Sequence, residues 1–268
     1  MSQNQWLATH PYLKPVAELH AAVDAATSQL SVPMVSIPRF ESYLPDYRAG
    51  VPLLQSDAVE FDFRPVESLL IVLANNLASV RLPGKLAAEC RSVAACLELG
   101  DSLASARLRA ENLIAKQSHG LLRFLSWTVL EIYLRPALHA FAKWLDQDLW
   151  FRAYCPTCGS PPAMAQLIRI DEGRGRYLYC GCCRTSWLYH RRGCPFCGEE
   201  DDRRLGAMSF DRESAIRIDY CSNCGGYLKT CGGEGAVDSM LSDWNSLHLD
   251  ILAIDNGLKR SAASLYEL

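Results

Sequence analysis

Cysteine spacing is the feature of this sequence that could do chemistry. Ten of the twelve cysteines lie between Cys155 and Cys231, and eight of these ten form four Cys-x2-Cys pairs. The pairs are Cys155 with Cys158, Cys180 with Cys183, Cys194 with Cys197, and Cys221 with Cys224. Two intervening residues allow a tight turn that points both sulfurs at one ion, and thiolates are strong ligands for zinc and iron. The pattern therefore favours metal binding.

An internal repeat assigns the four pairs to two sites. The stretch "YCPTCGSPP" at 154–162 is followed by "GCPFCGEED", in which the cysteines are shifted by 39 residues. The stretch "RYLYCGCC" at 176–183 is followed by "IRIDYCSNC", in which the first cysteine is shifted by 41 residues. Within the copies 21 and 23 residues separate the two pairs, which is close to the spacing of four-cysteine zinc sites. The sequence predicts one metal site from the first and second pairs, and another from the third and fourth.

Both predicted sites are closed. Four thiolates on one divalent ion leave no open coordination position, so such a site is structural or carries electrons and does not activate water. We therefore predict no catalytic residue and no enzyme activity. The expected cofactors are two metal ions, iron or zinc, one per four-cysteine site, because a tetrahedron of sulfurs suits both metals. A thioredoxin-like disulfide is disfavoured, since it needs one Cys-x-x-Cys after a strand in a βαβ unit.

Four further cysteines lie outside these pairs. Cys182 lies inside the second pair, and Cys231 follows the second copy by seven residues. We interpret both as incidental, with ligand replacement, a persulfide or oxidation as alternatives. Cys90 and Cys96 are six residues apart on a predicted helix and do not share a face, so we interpret them as inert thiols.

Composition limits the class of protein. The chain has 268 residues, of which 49% are apolar and 21% charged, as expected for a globular protein with room for more than one domain. The net charge of -3 and the pI of about 6.1 argue against affinity of the whole chain for nucleic acid. The first residues lack the pattern of a secretory signal, and no apolar run reaches the roughly 20 residues of a membrane span. We expect a cytoplasmic protein with no nucleic-acid partner and no membrane span.

The elements that must position the cysteines follow from apolar periodicity. In each copy, two apolar segments joined by a polar turn predict a β-hairpin that brings the second pair back to the first. Before the cysteines, apolar residues recur at three- and four-residue spacing, which predicts helices. The helix candidates are 15–30, 65–80, 84–99, 103–116 and 120–150. Pro136 should kink or split the last of them, and 31–63 should be an irregular connection over the surface of the helices.

Together these elements predict an α+β fold in four parts. An N-terminal helical bundle occupies 1–151. The first four-cysteine module spans 152–192 and the second spans 193–232, and both are of the rubredoxin-like or zinc-ribbon type. A C-terminal helix, from about 237 to 252 within 233–268, packs on the modules or on the bundle.

The residues around the cysteines resemble the FdhE family, the formate dehydrogenase accessory proteins. The resemblance rests on "CPTCGSPPAM", "GRYLYCGCCRTSWLYHRRGC", "DYCSNCGGYLKT" and "LSDWNSLHLDILAIDNGLKR", and it covers 152–262 more closely than the helical part. It implies a cytoplasmic assembly factor that is needed for active formate dehydrogenase. It also implies metal-binding modules that recognise the catalytic subunit, with the family's ligands at the same eight cysteines.

A partner surface is a further expectation. We predict that exposed aromatic and basic residues beside the cysteine pairs dock the immature catalytic subunit. These residues are Trp187, Tyr189, Arg191, Arg192, Tyr227 and Lys229. For Trp187 and Tyr227 the alternative is that they pack the modules together. Two other functions stay open: a rubredoxin-like iron redox protein acting on the formate dehydrogenase centre, and a zinc-ribbon nucleic-acid-binding protein. The sequence also leaves a homodimer open.

Overall fold

The computed structural model describes residues 7–80, 82, 84–98, 120–170, 173–209, 216–232 and 243–262. Its helices are α1 (Lys14–Thr27), α2 (Leu44–Ala49), α3 (Arg64–Ser79), α4 (Gly84–Glu98), α5 (Gly120–Trp144) and α6 (Leu247–Asp255). Its strands are β1 (Pro162–Ile170), β2 (Gly173–Cys180), β3 (Ser186–Tyr189), β4 (Leu205–Met208), β5 (Ile216–Cys221), β6 (Gly226–Cys231) and β7 (Lys259–Arg260). The predicted α+β class is confirmed.

The N-terminal helices follow the apolar periodicity of the sequence. The candidates 15–30, 65–80 and 84–99 correspond to α1, α3 and α4 within a few residues. Pro65 lies in the first turn of α3, where its missing N–H costs nothing. One face of α3 is buried and carries Val66, Leu69, Leu70, Leu73, Ala74 and Leu77. The candidate at 103–116 lies outside the described residues.

Pro136 does not split the last long helix, so that prediction was wrong. The helix α5 runs continuously from Gly120 to Trp144, with Pro136 inside it. A proline removes one hydrogen bond and clashes with the preceding turn. Burial on both sides offsets that cost, since Leu134 and Ala137 are fully buried. The helix ends before the predicted limit at residue 150.

By its contacts the chain divides into two compact units. One unit comprises 1–35 and 61–135, and the other comprises 36–60 and 136–268. The segment 36–60, expected as an irregular connection over the surface of the helices, instead contains α2 and a 3-10 helix (Leu53–Gln55) and belongs to the unit with the cysteine modules. Its Tyr43 and Tyr47 are fully buried, because large aromatic side chains drive this segment into a core.

A single mixed sheet joins the two cysteine modules. In the described residues the strand order is β3-β2-β1-β6-β5-β4, with β7 paired to β6. The strands β1, β2 and β3 form one antiparallel meander and β4, β5 and β6 form a second. A parallel pairing of β1 with β6 joins the meanders, with Met164 opposite Lys229. Both predicted hairpins, β1–β2 and β4–β5, are confirmed. The third strand of each meander and the parallel joint were not predicted.

The helix α6 packs on the second meander. A small buried core joins Ile218 and Tyr227 of the sheet to Leu249 and Ala253 of the helix. The predicted C-terminal helix began near residue 237, but 233–242 lie outside the described residues and α6 begins at Leu247. In the described part of the chain, no helix combines the length and the apolarity needed to cross a bilayer.

Candidate metal centres

The first cluster gathers the four cysteines of the first repeat. The Sγ atoms of Cys155, Cys158, Cys180 and Cys183 all lie within 4.8 Å of one another. The Sγ–Sγ distance is 3.4 Å both for Cys155–Cys183 and for Cys158–Cys180. Tetrahedral zinc with Zn–S bonds of about 2.3 Å requires sulfurs about 3.8 Å apart. This cluster, the first site, could therefore hold one metal ion.

The second cluster repeats the arrangement. The Sγ atoms of Cys194, Cys197, Cys221 and Cys224 again lie within 4.8 Å of one another. The Sγ–Sγ distance is 3.7 Å both for Cys194–Cys224 and for Cys197–Cys221. This second site could also hold one ion. The eight cysteines therefore group as the sequence repeat predicts, while the choice between iron and zinc stays open because both accept four sulfurs.

The same backbone turn follows each cysteine pair. The residue after the second cysteine has a left-handed conformation at Gly159 (φ 81°), Arg184 (φ 58°), Gly198 (φ 74°) and Gly225 (φ 71°). At the three glycines this turn lets the amide donate to the carbonyl oxygen of the pair's first cysteine, at 2.9 Å in each case. Only glycine adopts such a φ without a steric cost. Arg184 bears that cost, which shows that the turn is needed there too.

Backbone amides also stabilise the sulfurs. In the first site the amide of Thr157 lies 3.4 Å from Cys155 Sγ, and that of Cys182 lies 3.3 Å from Cys180 Sγ. In the second site the amide of Phe196 lies 3.4 Å from Cys194 Sγ. Hydrogen bonds to the charged form of a group favour that form. The turns therefore prepare these sulfurs to be thiolate ligands.

The two sites differ in exposure. All four cysteines of the first site are buried, whereas Cys197 in the second site is exposed and Cys224 is half-buried. Backbone N–H groups of residues 53 and 54 each donate at 2.8 Å to the carbonyl oxygens of residues 156 and 157. Gln55 Nε2 donates to the carbonyl oxygen of Cys158 at 3.0 Å. The 3-10 helix therefore covers the first turn of the first site.

The thiols within each cluster differ in acidity. In the first site burial raises the pKa of Cys155, while hydrogen bonds from neighbouring thiols, that of Cys155 first, hold the pKa of Cys158 well below its usual value. In the second site burial raises the pKa of Cys194 to about 12. Burial acts in the same direction on Cys197, but hydrogen bonds from the Glu199 amide and Asn223 outweigh it and lower the pKa of Cys197 to about 7. One thiol of each cluster therefore ionises first, as a metal-binding set requires.

The remaining cysteines lie outside the two groups that the described residues form. Cys182 is buried, and its contact with Cys158 and its burial raise its pKa well above the usual value. Cys231 is buried at the end of β6, where it pairs with Gln166 of β1 and Ile216 of β5. Neither belongs to a four-sulfur group, so both stay unassigned by the geometry.

Comparisons with known proteins agree with the geometry. Residues 154–191 match the family model "FdhE, central domain". The "Protein FdhE homolog" of Aquifex aeolicus is 30% identical over 251 residues, which cover 92% of this chain and 83% of that protein. The chain belongs to the FdhE family. The FdhE homolog of Haemophilus ducreyi is 33% identical over 139 residues, 50% of this chain and 45% of that protein.

A solved FdhE structure shares the fold. The crystal structure of the FdhE protein from Pseudomonas aeruginosa superposes with a TM-score of 0.64, and the match covers 97% of this chain and 91% of that one. At 22% sequence identity the likeness concerns the fold alone. The family predicted from the cysteine repeat and its flanking residues is thus confirmed.

The expected exposure of the partner-binding residues was wrong for four of six in this FdhE-family chain. Trp187, Tyr189, Tyr227 and Lys229 are buried, and only Arg191 and Arg192 are exposed. Trp187 Nε1 donates to the carbonyl oxygen of Arg152 at 2.9 Å. Tyr227 and Lys229 lie on β6, which has neighbours on both edges and no exposed position. His190, expected between the two sites, is exposed and stacks near Phe151, with ring centroids 5.1 Å apart.

A buried charge network explains Tyr227 and Lys229. Lys229 Nζ lies 2.8 Å from Asp243 Oδ1 and 2.6 Å from Asp250 Oδ2. Arg260 lies 2.8 Å from Asp243 and 3.2 Å from Asp250, and Tyr227 donates to Asp250 Oδ1 at 2.6 Å. Burial opposes the ionised form of Asp243, but Lys229 and Arg260 outweigh it and lower its pKa.

The network pairs two cations with two carboxylates and fastens the C-terminal segment to β6. Sequence reasoning missed this role of Asp243, Asp250 and Arg260. A signal for it existed, because the FdhE-like stretches already contained "YLK" and "LD".

Proposed function

We propose that this FdhE-family chain is a cytoplasmic accessory protein that formate dehydrogenase needs for its activity, and that it binds the immature catalytic subunit through a platform formed by the two four-cysteine modules. The observation that carries the proposal is the pair of closed four-sulfur clusters on one continuous sheet. The chain also aligns with an FdhE homolog over 92% of its length. Residues 152–192 and 193–232 act as the two metal-binding modules.

The chemistry of the clusters supports an accessory role over a catalytic one. With all four positions taken by sulfur, a bound ion cross-links the two ends of a meander and has no position for substrate. A module of about 40 residues has too little core to fold alone, so the ion contributes much of its folding free energy. Cys155, Cys158, Cys180 and Cys183 hold the first ion, and Cys194, Cys197, Cys221 and Cys224 hold the second.

The docking surface, in this proposal, centres on the two exposed arginines between the modules. Arg192 pairs with Asp202 at the surface, and Arg191 donates to the carbonyl oxygen of Arg174 at 2.9 Å. Both guanidinium groups stay accessible to an acidic patch on a client. Charged groups at the rim of an interface govern association and specificity more than the affinity of the finished complex.

Co-purification tests the proposal. The metal-loaded full chain, tagged, is used to capture the formate dehydrogenase catalytic subunit from cells that lack their own FdhE-family protein. The variant Arg191→Glu/Arg192→Glu should lower recovery of the subunit at least tenfold, roughly as expected for reversed charges in an interface. The matched control is Arg203→Glu, which changes an exposed arginine paired with Asp201. Undiminished recovery with the double variant would exclude this surface, and failure of the wild-type chain to restore formate-dependent dye reduction would refute the accessory function.

A second candidate function has one observation in its favour. The exposed sulfur of Cys197 and the half-buried sulfur of Cys224 bring the second site to the surface, as an iron centre that exchanges electrons with a client would need. Anaerobic purification from the native host, elemental analysis and visible spectroscopy distinguish the two functions. Iron with a reversible absorption change supports the redox role, and stoichiometric zinc without such a change excludes it.

A further inference from the structure

A cavity lies between the two cysteine modules. Its volume is about 230 Å³, and its walls come from β2, the connection between the modules, β4 and β5. This cavity, which we call the inter-module pocket, is lined by four arginines: Arg176, Arg191, Arg192 and Arg217. It is smaller than the roughly 300 to 1,000 Å³ of pockets that hold drug-sized molecules. A ligand for it must therefore be small.

Arg176 is the unusual member of this wall. Its side chain crosses from the first module to the second, where Nη1 donates to the carbonyl oxygen of Gly193 at 2.9 Å. The residue is only 5% exposed, yet its buried Nε has no hydrogen-bond partner among the described residues. A buried charged group without full hydrogen bonding is costly, and such groups in native proteins have a partner. The pocket therefore contains a donor that lacks its acceptor.

The acidic side chains of the wall do not supply that acceptor. Asp219 lies 2.7 Å from Arg217 Nε and also accepts a hydrogen bond from Thr230 Oγ1 at 2.7 Å. Asp202 pairs with Arg192. The sulfurs of the second site line the same pocket, but none of them lies within hydrogen-bonding distance of the Arg176 Nε. With Nη1 already engaged, the edge of Arg176 formed by Nε and Nη2 stays available, and this edge is the fork that binds two oxygens of one anion.

We propose that the inter-module pocket binds a small oxyanion, a phosphate or a short carboxylate, on the Nε–Nη2 edge of Arg176, with Arg191 as a second cation at the rim. Two acceptor oxygens on one centre match the planar fork, which chloride does not. The pocket is a binding site distinct from both four-sulfur clusters. Its ligand touches residues of both modules, so that binding also fastens the modules to each other. This inference stands apart from the accessory function.

Calorimetric titration of the full chain loaded with zinc tests the proposal. Sodium phosphate and sodium acetate are the probes, each in a chloride buffer of fixed ionic strength. We expect saturable binding of one anion per chain for at least one probe, and the stronger of the two identifies the oxyanion class. Arg176→Lys keeps the charge but removes the fork, and it should weaken binding at least about tenfold. Arg191→Ala should weaken it severalfold while leaving the buried wall intact.

The control is Arg203→Ala, which removes an exposed arginine outside the pocket and should leave affinity within about twofold of the wild type. Zinc content of each variant shows that the clusters are intact. Should Arg176→Lys fail to fold, the comparison of Arg191→Ala with Arg203→Ala decides the matter. The proposal is overturned if neither probe binds the wild-type chain saturably, or if Arg191→Ala and Arg203→Ala bind equally well.

Discussion

The two cysteine sites are built by one repeated motif but differ in what covers them. Both have the same left-handed turns and the same amide–sulfur hydrogen bonds. The first site is buried at all four cysteines, whereas the second exposes Cys197. The repeated residues therefore determine the geometry of a site, and segments outside the repeat determine its access to solvent.

Different segments support the two modules. The first site adjoins an aromatic cluster, in which Tyr47 stacks on Trp150 with centroids 5.1 Å apart and Trp150 Nε1 donates to the carbonyl oxygen of Tyr154 at 2.9 Å. The second module is fastened instead by the buried network of Lys229, Asp243, Asp250 and Arg260. We infer a division of roles, in which the first site holds the fold and the second faces a partner.

Loss of a ligand should separate the two sites most strongly. Cys155→Ser should lower the free energy of unfolding by roughly 4 kcal/mol or more, because a buried site cannot recruit water in place of the sulfur. Cys197→Ser should cost only about 2 kcal/mol, since water can reach its position. Denaturant unfolding of the metal-loaded variants, with metal content per chain, measures both. Equal losses would remove the assigned difference between the sites.

The support of the second module can be broken by one substitution in the charge network. Lys229→Met should cost about 3 to 5 kcal/mol, because it leaves two buried carboxylates with Arg260 as their remaining cation. The matched surface change is Arg203→Ala, whose exposed ion pair should contribute less than about 1 kcal/mol. Both are measured by denaturant unfolding. A small loss for Lys229→Met would mean that packing of α6, and not the network, holds this segment.

The sequence predicted the clusters better than their surroundings. Cysteine spacing and the repeat assigned every member of both sites, because a tight turn and a hairpin are local and leave local signals. The cover provided by residues 53–55, and the pairing of Lys229 with Asp250, join positions far apart in the chain that no periodicity connects. Lys229 in particular was expected at the surface, since an isolated lysine shows no sign of the carboxylates that bury it.

Chemical reactivity should separate the sites on a finer scale. In the metal-loaded wild-type chain, a zinc chelator followed by iodoacetamide should modify Cys197 and Cys224 at least about tenfold faster than Cys155 and Cys180, because the buried site reacts only after local opening. Peptide mapping by mass spectrometry over time gives the rate for each cysteine. Simultaneous modification of all eight would show that the two sites open together, as one cooperative unit.

The smallest expected difference concerns the glycines of the turns. An alanine forced into the left-handed region costs about 1 kcal/mol, and Gly198→Ala should cost only that, because its Cβ would meet no atom within 4 Å. At Gly159 the Cβ would lie 2.5 Å from Gln55 Nε2. Gly159→Ala must therefore also displace the Gln55 amide from the carbonyl oxygen of Cys158, at a further cost of about 1 kcal/mol. In a Gln55→Ala background that extra cost should vanish, leaving both glycines equal in denaturant unfolding. If Gly159→Ala costs the same with and without Gln55, the glutamine does not cover the first site, and its lower exposure must come from the aromatic cluster alone.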